Sequence, residues 1–383
     1  MIVVGGGAAG LYAAYNLKHR NIEFEILEAS STIGGRVKET RDFVDFPIDL
    51  GGEWIHTHPR ILQDMLLLGE QLDRFRFETV DFNPKTWGTY SNGKNYQRNI
   101  LRFFYGEWKY KRDTWFGYLS TYILPKVQHH IRTQAVVNHI RYDGPFVVVQ
   151  TTDGREFRAD KVIMTVPLSV MQSDDIKFIP PLPDKKTHAL MDGAMQPAMK
   201  CFIEFSERFY PDQQLTHSMF QAYVTMSGEE IFYDAAFKKD TKRNVLGFFC
   251  EADPAQKYTS MESDEEIFAN LMKQLDEMFD GKASRYYIKH HVENWPKAPY
   301  IRGGYSVSGL RSPNKARKPV DNKVYFAGEY LAPYQNKSWI STVHGAMISG
   351  QMAVKAVCDE GGVRRPKPKR SSTSSEEWLV ALG

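Results

Sequence analysis

The chain has little cysteine and no residue spacing typical of a metal site. Its three cysteines, Cys201, Cys250 and Cys358, are isolated from one another, with no C-x-x-C pair. This excludes a zinc knuckle and a reductase with adjacent redox cysteines. None of the 11 histidines has another histidine four residues away, the spacing of a helical zinc site. We therefore expect three buried, inert thiols and no bound metal.

Long apolar runs and an excess of charge of one sign are also missing. No segment approaches the ~18 consecutive apolar residues of a membrane span. A net charge of +3 on 383 residues, without a basic stripe interleaved with aromatic residues, argues against nucleic-acid binding. The chain begins directly with an apolar strand pattern rather than a signal peptide. We expect a cytoplasmic protein, unless the sequence begins inside a longer chain.

The composition, 42% hydrophobic and 25% charged, is that of a globular protein with two domains or one domain with an insertion. The last 25 residues, 359–383, differ from the rest because RRPKPKRSSTSSEE cannot build a core. We expect a solvated, flexible tail, with a nuclear-import signal as the alternative.

The first residues predict a strand, a tight glycine turn and a helix. Ile2–Val4 is β-branched, and Gly5, Gly7 and Gly10 follow in the G-x-G-x-x-G spacing, with Ala9 among them. In such a turn the second glycine lets a pyrophosphate approach the backbone and the third lets the helix pack on the strand. The helix N-terminus also favours a diphosphate.

A second strand, IEFEIL, ends at Glu28, close to the usual position of the acid that binds a ribose hydroxyl. Together the turn and Glu28 predict dinucleotide binding. A glycine-rich turn without a ligand is the alternative. A pyridine-nucleotide reductase is disfavoured because no second glycine fingerprint follows a strand.

Further along, the sequence alternates between helix and strand patterns. Residues 60–124 are predicted to be helical and mixed, with many aromatic residues, and residues 134–166 to be strands with a turn at Asp153–Gly154. ESDEEIFANLMKQLDEMFDG predicts a helix with acids at its start and a glycine stop. VHGAMISGQMAVKAV predicts the last helix.

The order of the motifs resembles that of flavin-dependent amine oxidases, the group of polyamine oxidases, monoamine oxidases, L-amino-acid oxidases and lysine-specific histone demethylases. The motifs are the glycine turn, Glu28, Gly34-Gly35-Arg36, DLGGEWIH, ADKVIMTVPLSVM, Lys200 and FAGEYL with HGAMISG. The resemblance extends to about Val357. It implies FAD and an α/β fold, in which a Rossmann-type FAD-binding domain of discontinuous segments joins a smaller substrate domain of mixed sheet and helices.

We assign the FAD-binding domain to residues 1–59, 126–183 and 288–358, and the substrate-binding domain to residues 60–125 and 184–287. The residues that the resemblance places at FAD are Gly5, Gly7, Ala9, Gly10, Glu28, Ala29, Gly35, Arg36, Gly52, Glu53, Trp54, Val137, Trp295, Tyr305, Gly328, Glu329, Thr342 and Val343. Within this set, Glu28 would bind the ribose, Arg36 the pyrophosphate, Glu329 the ribityl chain, and Thr342–Val343 the edge of the flavin.

Lys200 is the residue on which the predicted chemistry depends. It stands on a strand among apolar residues, where lysine is unusual. In the family that this chain resembles, a lysine here holds a water at flavin N5, and a positive charge there favours electron transfer to O2, giving H2O2. A lysine on an edge strand that extends to water is the alternative.

The substrate side of the predicted site combines His56, Glu53, Tyr305 and Trp339. His56 follows from the likeness of LGGEWIHTHP to spermine and acetylpolyamine oxidases, and it would bind an amine or move a proton. Trp295 and Tyr334 are further candidates for the aromatic wall. Glu53 would attract a cation or form a structural salt bridge. Tyr305 replaces the cysteine that links monoamine oxidases to their flavin, so we expect non-covalent FAD.

Polyamines are the favoured substrates, because Thr342 replaces a tyrosine of monoamine oxidases and no arginine for a carboxylate follows the L-G element. The segment between His58 and Val136 is shorter than we expect for this family, and a reduced lid would admit a protein-bound amine. A monoamine, an amino acid and a protein-bound lysine remain alternative substrates. A flavin desaturase or porphyrinogen-type oxidase, and a protein-binding module with structural FAD, are the alternative functions.

Overall fold

The computed structural model describes residues 1–66, 75–82, 86–91, 94–99, 107–210, 214–216, 230–306, 310–333 and 339–360. The strands in chain order are β1 Ile2–Val4, β2 Glu25–Leu27, β3 Glu39–Thr40, β4 Ile48–Asp49, β5 Thr79–Asp81, β6 Thr86–Ser91, β7 Lys94–Asn99, β8 Trp108–Tyr110, β9 Ile131–Arg132, β10 Val137–Arg141, β11 Val147–Thr151, β12 Glu156–Ala159, β13 Val162–Met164, β14 Lys177–Ile179, β15 Met195–Gln196, β16 Ala198–Phe205, β17 Gln214–Thr216, β18 Glu230–Asp234, β19 Asn244–Glu251, β20 Tyr287–Asn294, β21 Tyr305–Ser306 and β22 Val324–Phe326.

The α-helices in chain order are α1 Ala8–Lys18, α2 Ile61–Asp64, α3 Trp115–Tyr118, α4 Leu124–Val127, α5 Leu168–Met171, α6 Asp184–Met191, α7 Ala252–Thr259, α8 Asp264–Phe279, α9 Lys282–Tyr286, α10 Pro313–Arg317 and α11 Val343–Glu360. A π-helical turn, Leu119–Ile123, joins α3 to α4, and 3-10 turns lie at Gln128–His130, Trp295–Lys297 and Glu329–Leu331.

A parallel sheet with the strand order β22-β13-β1-β2-β9 forms the Rossmann-type core. Its central strands are buried and β-branched, as in sheets covered by helices on both faces. The helices α1 and α11 pack so closely that a Cβ at Gly350 would lie only 2.3 Å from the carbonyl oxygen of Ala9. This contact holds the first and last helices of the described fold together.

Two further sheets complete the fold, with the orders β12-β11-β10-β14 and β20-β16-β19-β18-β17-β6-β7. In the seven-stranded sheet, β16 lies between β19 and β20 and is antiparallel to both. Its residues alternate between two cores. Met199, Cys201 and Ile203 pack in the core that contains α7 and α8, whereas Phe202 packs in the core with Tyr233 and Trp54. Lys200 is therefore on an interior strand rather than an edge strand.

The prediction that residues 60–124 are helical and mixed missed the strands of this region. Within the described part, this region contains β5 to β8 as well as the short helices α2 and α3. The residues TWGTYS and KNYQRN pair as antiparallel strands, and the dipeptide Asn92–Gly93 stands between them in the sequence. Asn-Gly flanked by aromatic and β-branched residues is a strong hairpin signal, and it outweighs the mixed helical pattern that we used.

Other predictions agree with the structure. The strands β10 to β13 lie within residues 134–166, and α8 begins after Ser263, whose hydroxyl accepts the N–H of Glu266. Helix α8 ends where Asp280 and Gly281 take positive φ values of 53° and 75°. All three cysteines are buried. In the described residues, no helix has the length and apolarity needed to traverse a bilayer.

The domain boundaries stay a prediction. The strand β20 falls in the segment, from residue 288 onwards, that we assigned to the FAD-binding domain. This strand pairs with β16 in the seven-stranded sheet, along the register from Met199↔Asn294 to Phe205↔Tyr287.

Candidate functional site

The glycine turn between β1 and α1 has no room for a side chain at one glycine and open space beside another. A Cβ at Gly10 would lie 2.0 Å from the carbonyl oxygen of Gly5, so only glycine fits there. A Cβ at Gly7 would meet just one atom, the carbonyl oxygen of Gly34, at 3.9 Å. Gly10 thus serves the packing of α1 on β1, and Gly7 leaves its side of the turn open to a ligand.

Glu28 lies against this turn. Its carboxylate accepts the backbone N–H of Gly6 at 2.5 Å and of Ser30 at 2.8 Å. Burial raises the pKa of Glu28, and the N–H groups of Ser30, Gly6 and Ala29 oppose that shift. The main-chain oxygen of Glu28 accepts the N–H of Ala135, two residues before Val137. The predicted adenosine-binding segments are therefore neighbours.

Arg36 and Glu329, which we predicted for two different parts of the cofactor, form an ion pair. An Nη1 of Arg36 donates to Glu329 Oε1 at 3.0 Å and to the carbonyl of Gly304 at 2.8 Å. Glu329 is buried and also accepts the Ser306 hydroxyl at 2.6 Å. Gly35, next to Arg36, approaches the glycine turn: a Cβ at Gly35 would lie 3.4 Å from the Cα of Gly7. The backbone next to Arg36 thus lies beside the turn, while its guanidinium is held by Glu329 and Gly304.

The start of α11 faces the DLGG element. The Thr342 hydroxyl accepts the N–H of Gly345 at 3.0 Å, as an N-cap residue does, and donates to the carbonyl of Trp339 at 2.8 Å. A Cβ at Gly52 would lie 2.6 Å from a methyl group of Val343. Glycine at position 52 therefore allows the loop to touch the positive end of the helix. Behind it, the N–H of Gly328 donates to the Ser349 hydroxyl at 2.8 Å.

Lys200 is 2% exposed and lies in a buried ion-pair network. Its ammonium donates to Glu53 Oε2 at 2.6 Å and to the carbonyl of Asp49 at 3.1 Å. The other carboxylate oxygen of Glu53 is 2.5 Å from the ammonium of Lys109. The hydroxyl of Tyr233 also donates to Glu53 Oε2, at 2.6 Å. Two buried cations thus share one carboxylate.

The charges in this network follow from burial and pairing. Burial alone raises the pKa of Glu53, but Lys109 and Lys200 outweigh it and lower the pKa to about 2. Burial lowers the pKa of Lys200, with Glu53 opposing the shift. Burial also raises the pKa of Asp49 well above its usual range, and the charge of Glu53 adds to that effect. The pKa values of the two acids thus shift in opposite directions, because Glu53 contacts two ammonium groups whereas Asp49 is buried beside the carboxylate of Glu53.

Aromatic rings surround the Lys200 ammonium, although they differ in part from those we predicted. The ammonium lies 5.0 Å from the ring of Trp54, which contacts Phe82, Tyr233 and Phe249 at centroid distances of 5.2–6.3 Å. Trp295 is also buried, and its indole donates to the carbonyl of Leu50 at 3.3 Å. Tyr305 lies on β21, paired with Gln196. The candidate Tyr334 lies outside the described residues.

His56 is held by a glutamate that the sequence analysis missed. Its Nδ1 lies 3.1 Å and 3.0 Å from the two carboxylate oxygens of Glu107. If Nδ1 carries the proton, Nε2 becomes the acceptor nitrogen of the ring. His56 also acts electrostatically on two other groups: it opposes the rise that burial causes in the pKa of Glu251, and it adds to the lowering that burial causes in the pKa of His344.

Beside α11, three buried nitrogen atoms lack hydrogen-bond partners within the described ranges. They are Nε1 of Trp339 and both ring nitrogens of His344. His344 is fully buried between the rings of Trp115 and Trp339, each at a centroid distance of 6.3 Å. Burial, together with the charge of His56, lowers the pKa of His344 to about 3, so the imidazole is neutral. Buried polar atoms without partners are unusual in proteins and are consistent with a missing ligand or water.

These features fit FAD. The open side of Gly7 and the start of α1 suit a pyrophosphate. The capped start of α11 and the buried cations near Lys200 suit the electron-rich ring of a flavin. The orphaned nitrogens of Trp339 and His344 offer further polar contacts. Lys109, Tyr233 and Glu107 were missed, although Lys109 between Trp108 and Tyr110 shows the same signal as Lys200, a lysine in an apolar strand.

Comparison with protein families gives two matches. Residues 109–358 match the family described as "Flavin containing amine oxidoreductase". Residues 3–66 match an "NAD(P)-binding Rossmann-like domain".

Comparison with curated proteins and solved structures agrees with these matches. The chain is 25% identical to "Polyamine oxidase 3" of Oryza sativa subsp. japonica over 440 aligned residues, covering 92% of this chain and 88% of that protein. It is 30% identical over 229 residues to "Lysine-specific histone demethylase 1B" of Mus musculus, covering 57% of this chain but only 26% of the demethylase. A structure of putrescine oxidase bound to putrescine has the same fold, with a TM-score of 0.75, 15% identity, and coverage of 94% of this chain and 98% of that chain.

Proposed function

Because the chain belongs to the family of flavin-containing amine oxidoreductases, whose cofactor here is FAD, we propose that it oxidises amines and that polyamines are its substrates. The observation that carries the proposal is Lys200, a buried ammonium held by Glu53 among aromatic rings. A buried charge of this kind is costly, and ionisable groups perturbed by both burial and a specific charge partner cluster at functional sites.

When bound, FAD would supply the acceptor for a hydride, the hydrogen with two electrons, from the carbon next to the amine nitrogen. Water would then hydrolyse the resulting imine to an aldehyde and a shorter amine, or to an aldehyde and ammonia where the substrate amine is primary. O2 would take up the two electrons with two protons to form H2O2. The role of the protein is to place charge and to exclude water. Lys200 and Lys109 provide the positive charge that favours electron transfer to O2, and Trp54, Phe249 and the rings around them keep the site apolar.

The cofactor would lie along the elements that the structure brings together. Gly5, Gly7, Ala9 and Gly10 would hold the pyrophosphate, with Arg36 supplying a positive charge. Glu28 and Val137 would bind the adenosine end, and Glu329 the ribityl end. Thr342 and Val343 would face the flavin. Since Tyr305 cannot form the thioether that a cysteine forms, FAD would be bound non-covalently.

On the substrate side, His56 is placed to accept a proton. An alkylamine is mostly protonated near neutral pH, whereas loss of hydrogen from the adjacent carbon needs the neutral amine. His56, with Nδ1 toward Glu107, would take that proton at Nε2. The name of the polyamine oxidase relative supports a polyamine as substrate, and the name of the demethylase relative supports a protein-bound amine as the second candidate.

The test is an anaerobic titration of the FAD-loaded protein with a panel of amines, following the flavin absorbance near its visible maximum. The panel contains spermine, spermidine, putrescine, butylamine, an amino acid and a methyl-lysine peptide. We expect the polyamines to bleach the flavin, and readmission of O2 to restore the colour with formation of H2O2. If only the peptide or only the amino acid bleaches the flavin, that compound would represent the substrate class in place of polyamines.

Lys200→Met supplies the critical variant, with Lys186→Met as its matched control. Both lysines are buried, but Lys186 donates to the carbonyls of Ala316 and Lys318, away from Glu53. We expect Lys200→Met alone to slow recovery of the oxidised flavin in air, by about 100-fold. Equal rates in the two variants would contradict the role of Lys200. A protein that binds FAD but is bleached by no amine would support a module with structural FAD.

A further inference from the structure

Glu251 shares a sheet face with Lys200. It is the last residue of β19 and pairs with Ala198, while Phe249 pairs with Lys200. Because directly opposed residues point to the same face and side chains alternate along a strand, Glu251, Phe249 and Lys200 all lie on one side of the sheet. This is the side on which Phe249 contacts the ring of Trp54, at 5.6 Å. The pair Ala198–Glu251 is therefore two residues, about 7 Å, along the strands from the pair Lys200–Phe249.

The carboxylate of Glu251 has no structural role that the described residues account for. Its Oε2 is buried without a hydrogen-bond partner. It occupies the N-cap position of α7, but its side chain makes no capping hydrogen bond. Other acids of this sheet are paired: Glu204 with Arg243 at 3.1 Å, and Glu293 with Lys38 at 2.8 Å. Glu251 is half-buried, but a carboxylate oxygen that is buried without a partner is costly, which points to a cationic ligand as the partner of Oε2.

The surroundings of Glu251 belong to the candidate site. A Cβ at Gly304 would lie 2.3 Å from the Cβ of Ala198, so the Gly304–Tyr305 segment packs directly against the residue that Glu251 faces. On the other side, Glu251 interacts electrostatically with His56. Burial raises the pKa of Glu251 to about 7, with His56 opposing the shift, as expected for an acid that lacks a close cation.

From this placement we propose that Glu251 forms an anionic subsite that binds the distal ammonium of a diamine or polyamine, while the amine to be oxidised lies nearer to Lys200 and His56. The inference rests on the proposed amine oxidation and adds a specificity residue to it. A substrate with a second ammonium would supply the hydrogen-bond donor that Oε2 lacks. A monoamine of the same length would leave that acid without a partner.

The experiment compares putrescine with butylamine, which has the same carbon chain but one ammonium. Binding to wild type and to Glu251→Gln is measured by calorimetry without O2 on protein whose FAD has been reduced beforehand, so that no oxidation accompanies binding. The limiting rate of flavin bleaching is measured separately by stopped flow with the oxidised protein. We expect Glu251→Gln to weaken putrescine binding by about 10- to 100-fold, because a charge-assisted hydrogen bond is lost. Butylamine binding and both limiting rates should change by less than about twofold.

Glu293→Gln is the matched control, because Glu293 lies on the same face of the sheet and pairs with Lys200 from the other side. A general disturbance of the sheet would weaken both amines equally in both variants. The subsite is overturned if Glu251→Gln affects the two amines equally or affects neither. If wild type binds putrescine more tightly than the variant but no amine bleaches the flavin, the subsite stands and the oxidase function fails. If wild type binds neither amine, the subsite is overturned.

Discussion

The ammonium of Lys200 lies 2.6 Å from a carboxylate oxygen of Glu53, although 147 residues separate them in sequence. Glu53 belongs to the loop that follows β4, and Lys200 to β16, the second strand of the seven-stranded sheet. The pair therefore connects the loop after β4 to the seven-stranded sheet. Lys109 shares the carboxylate, so removal of Glu53 would leave two buried cations without a partner.

Glu53→Gln is accordingly expected to destabilise the protein by about 3–5 kcal/mol, since it breaks a buried ion pair from one side. Urea unfolding measures the change. Glu25→Gln is the matched control, because Glu25 pairs with Arg132 at 2.9 Å on the surface and should cost no more than about 1 kcal/mol. Equal effects of the two substitutions would show that the Glu53 network contributes little.

The same pair predicts a pH dependence on the acid side. The folded pKa of Glu53 is about 2, below its ordinary value of 4.5. As the pH falls, Glu53 in the folded state therefore takes up a proton at a lower pH than in the unfolded state. The resulting stability, on the order of 3 kcal/mol, is complete above pH 4.5 and is lost as the pH falls towards 2. The difference in unfolding free energy between wild type and Glu53→Gln should shrink over this window. A constant difference would contradict the assignment.

Lys186 predicts a pH dependence of opposite direction. Burial lowers its pKa to about 7 from 10.5, and its ammonium lies 4.1 Å from the ring of Phe326. As the pH rises, Lys186 in the folded state loses its proton at a lower pH than in the unfolded state. The loss of stability caused by burying the charge is therefore complete below pH 7 and disappears as the pH rises towards 10.5. Melting temperatures should show wild type gaining stability relative to Lys186→Met between pH 7 and 10. A gain on acidification instead would refute the assignment.

The two glycines of the first turn should respond differently to alanine. Gly10→Ala places a methyl group 2.0 Å from the carbonyl oxygen of Gly5, and we expect a loss of about 2 kcal/mol or more in stability. Gly7→Ala meets nothing closer than 3.9 Å and has an ordinary φ of −79°, so the fold should tolerate it. Its methyl group would instead occupy the space for the pyrophosphate and weaken FAD binding by about tenfold or more.

The contrast is read from urea unfolding without cofactor and from FAD titration of the two variants. Loss of stability in Gly7→Ala, with FAD binding intact, would show that the open side of Gly7 is not the pyrophosphate site.

Local signals in the sequence predicted the Rossmann-type half of the molecule well. The strand β1, the glycine turn and α1 are contiguous, and their geometry depends on short-range sterics. The resemblance added Lys200, whose burial the structure shows. The region between Arg60 and Leu124 was interpreted wrongly because an aromatic-rich hairpin and an amphipathic helix give similar mixed patterns there, and the Asn92–Gly93 signal was overlooked.

The sequence by itself determined the local features on which the predicted site is based: the glycines of the turn, Glu28 at the end of a strand, and a lysine in an apolar strand, because residue types and spacing act locally. Only the tertiary structure decided what those groups meet. It pairs Glu53 with Lys200 and Lys109, joins Arg36 to Glu329, and leaves the buried Oε2 of Glu251 without a hydrogen-bond partner in the described part of the chain. The physical reason is that charge pairing depends on distance in space, which the packing of sheets and loops far apart in sequence sets.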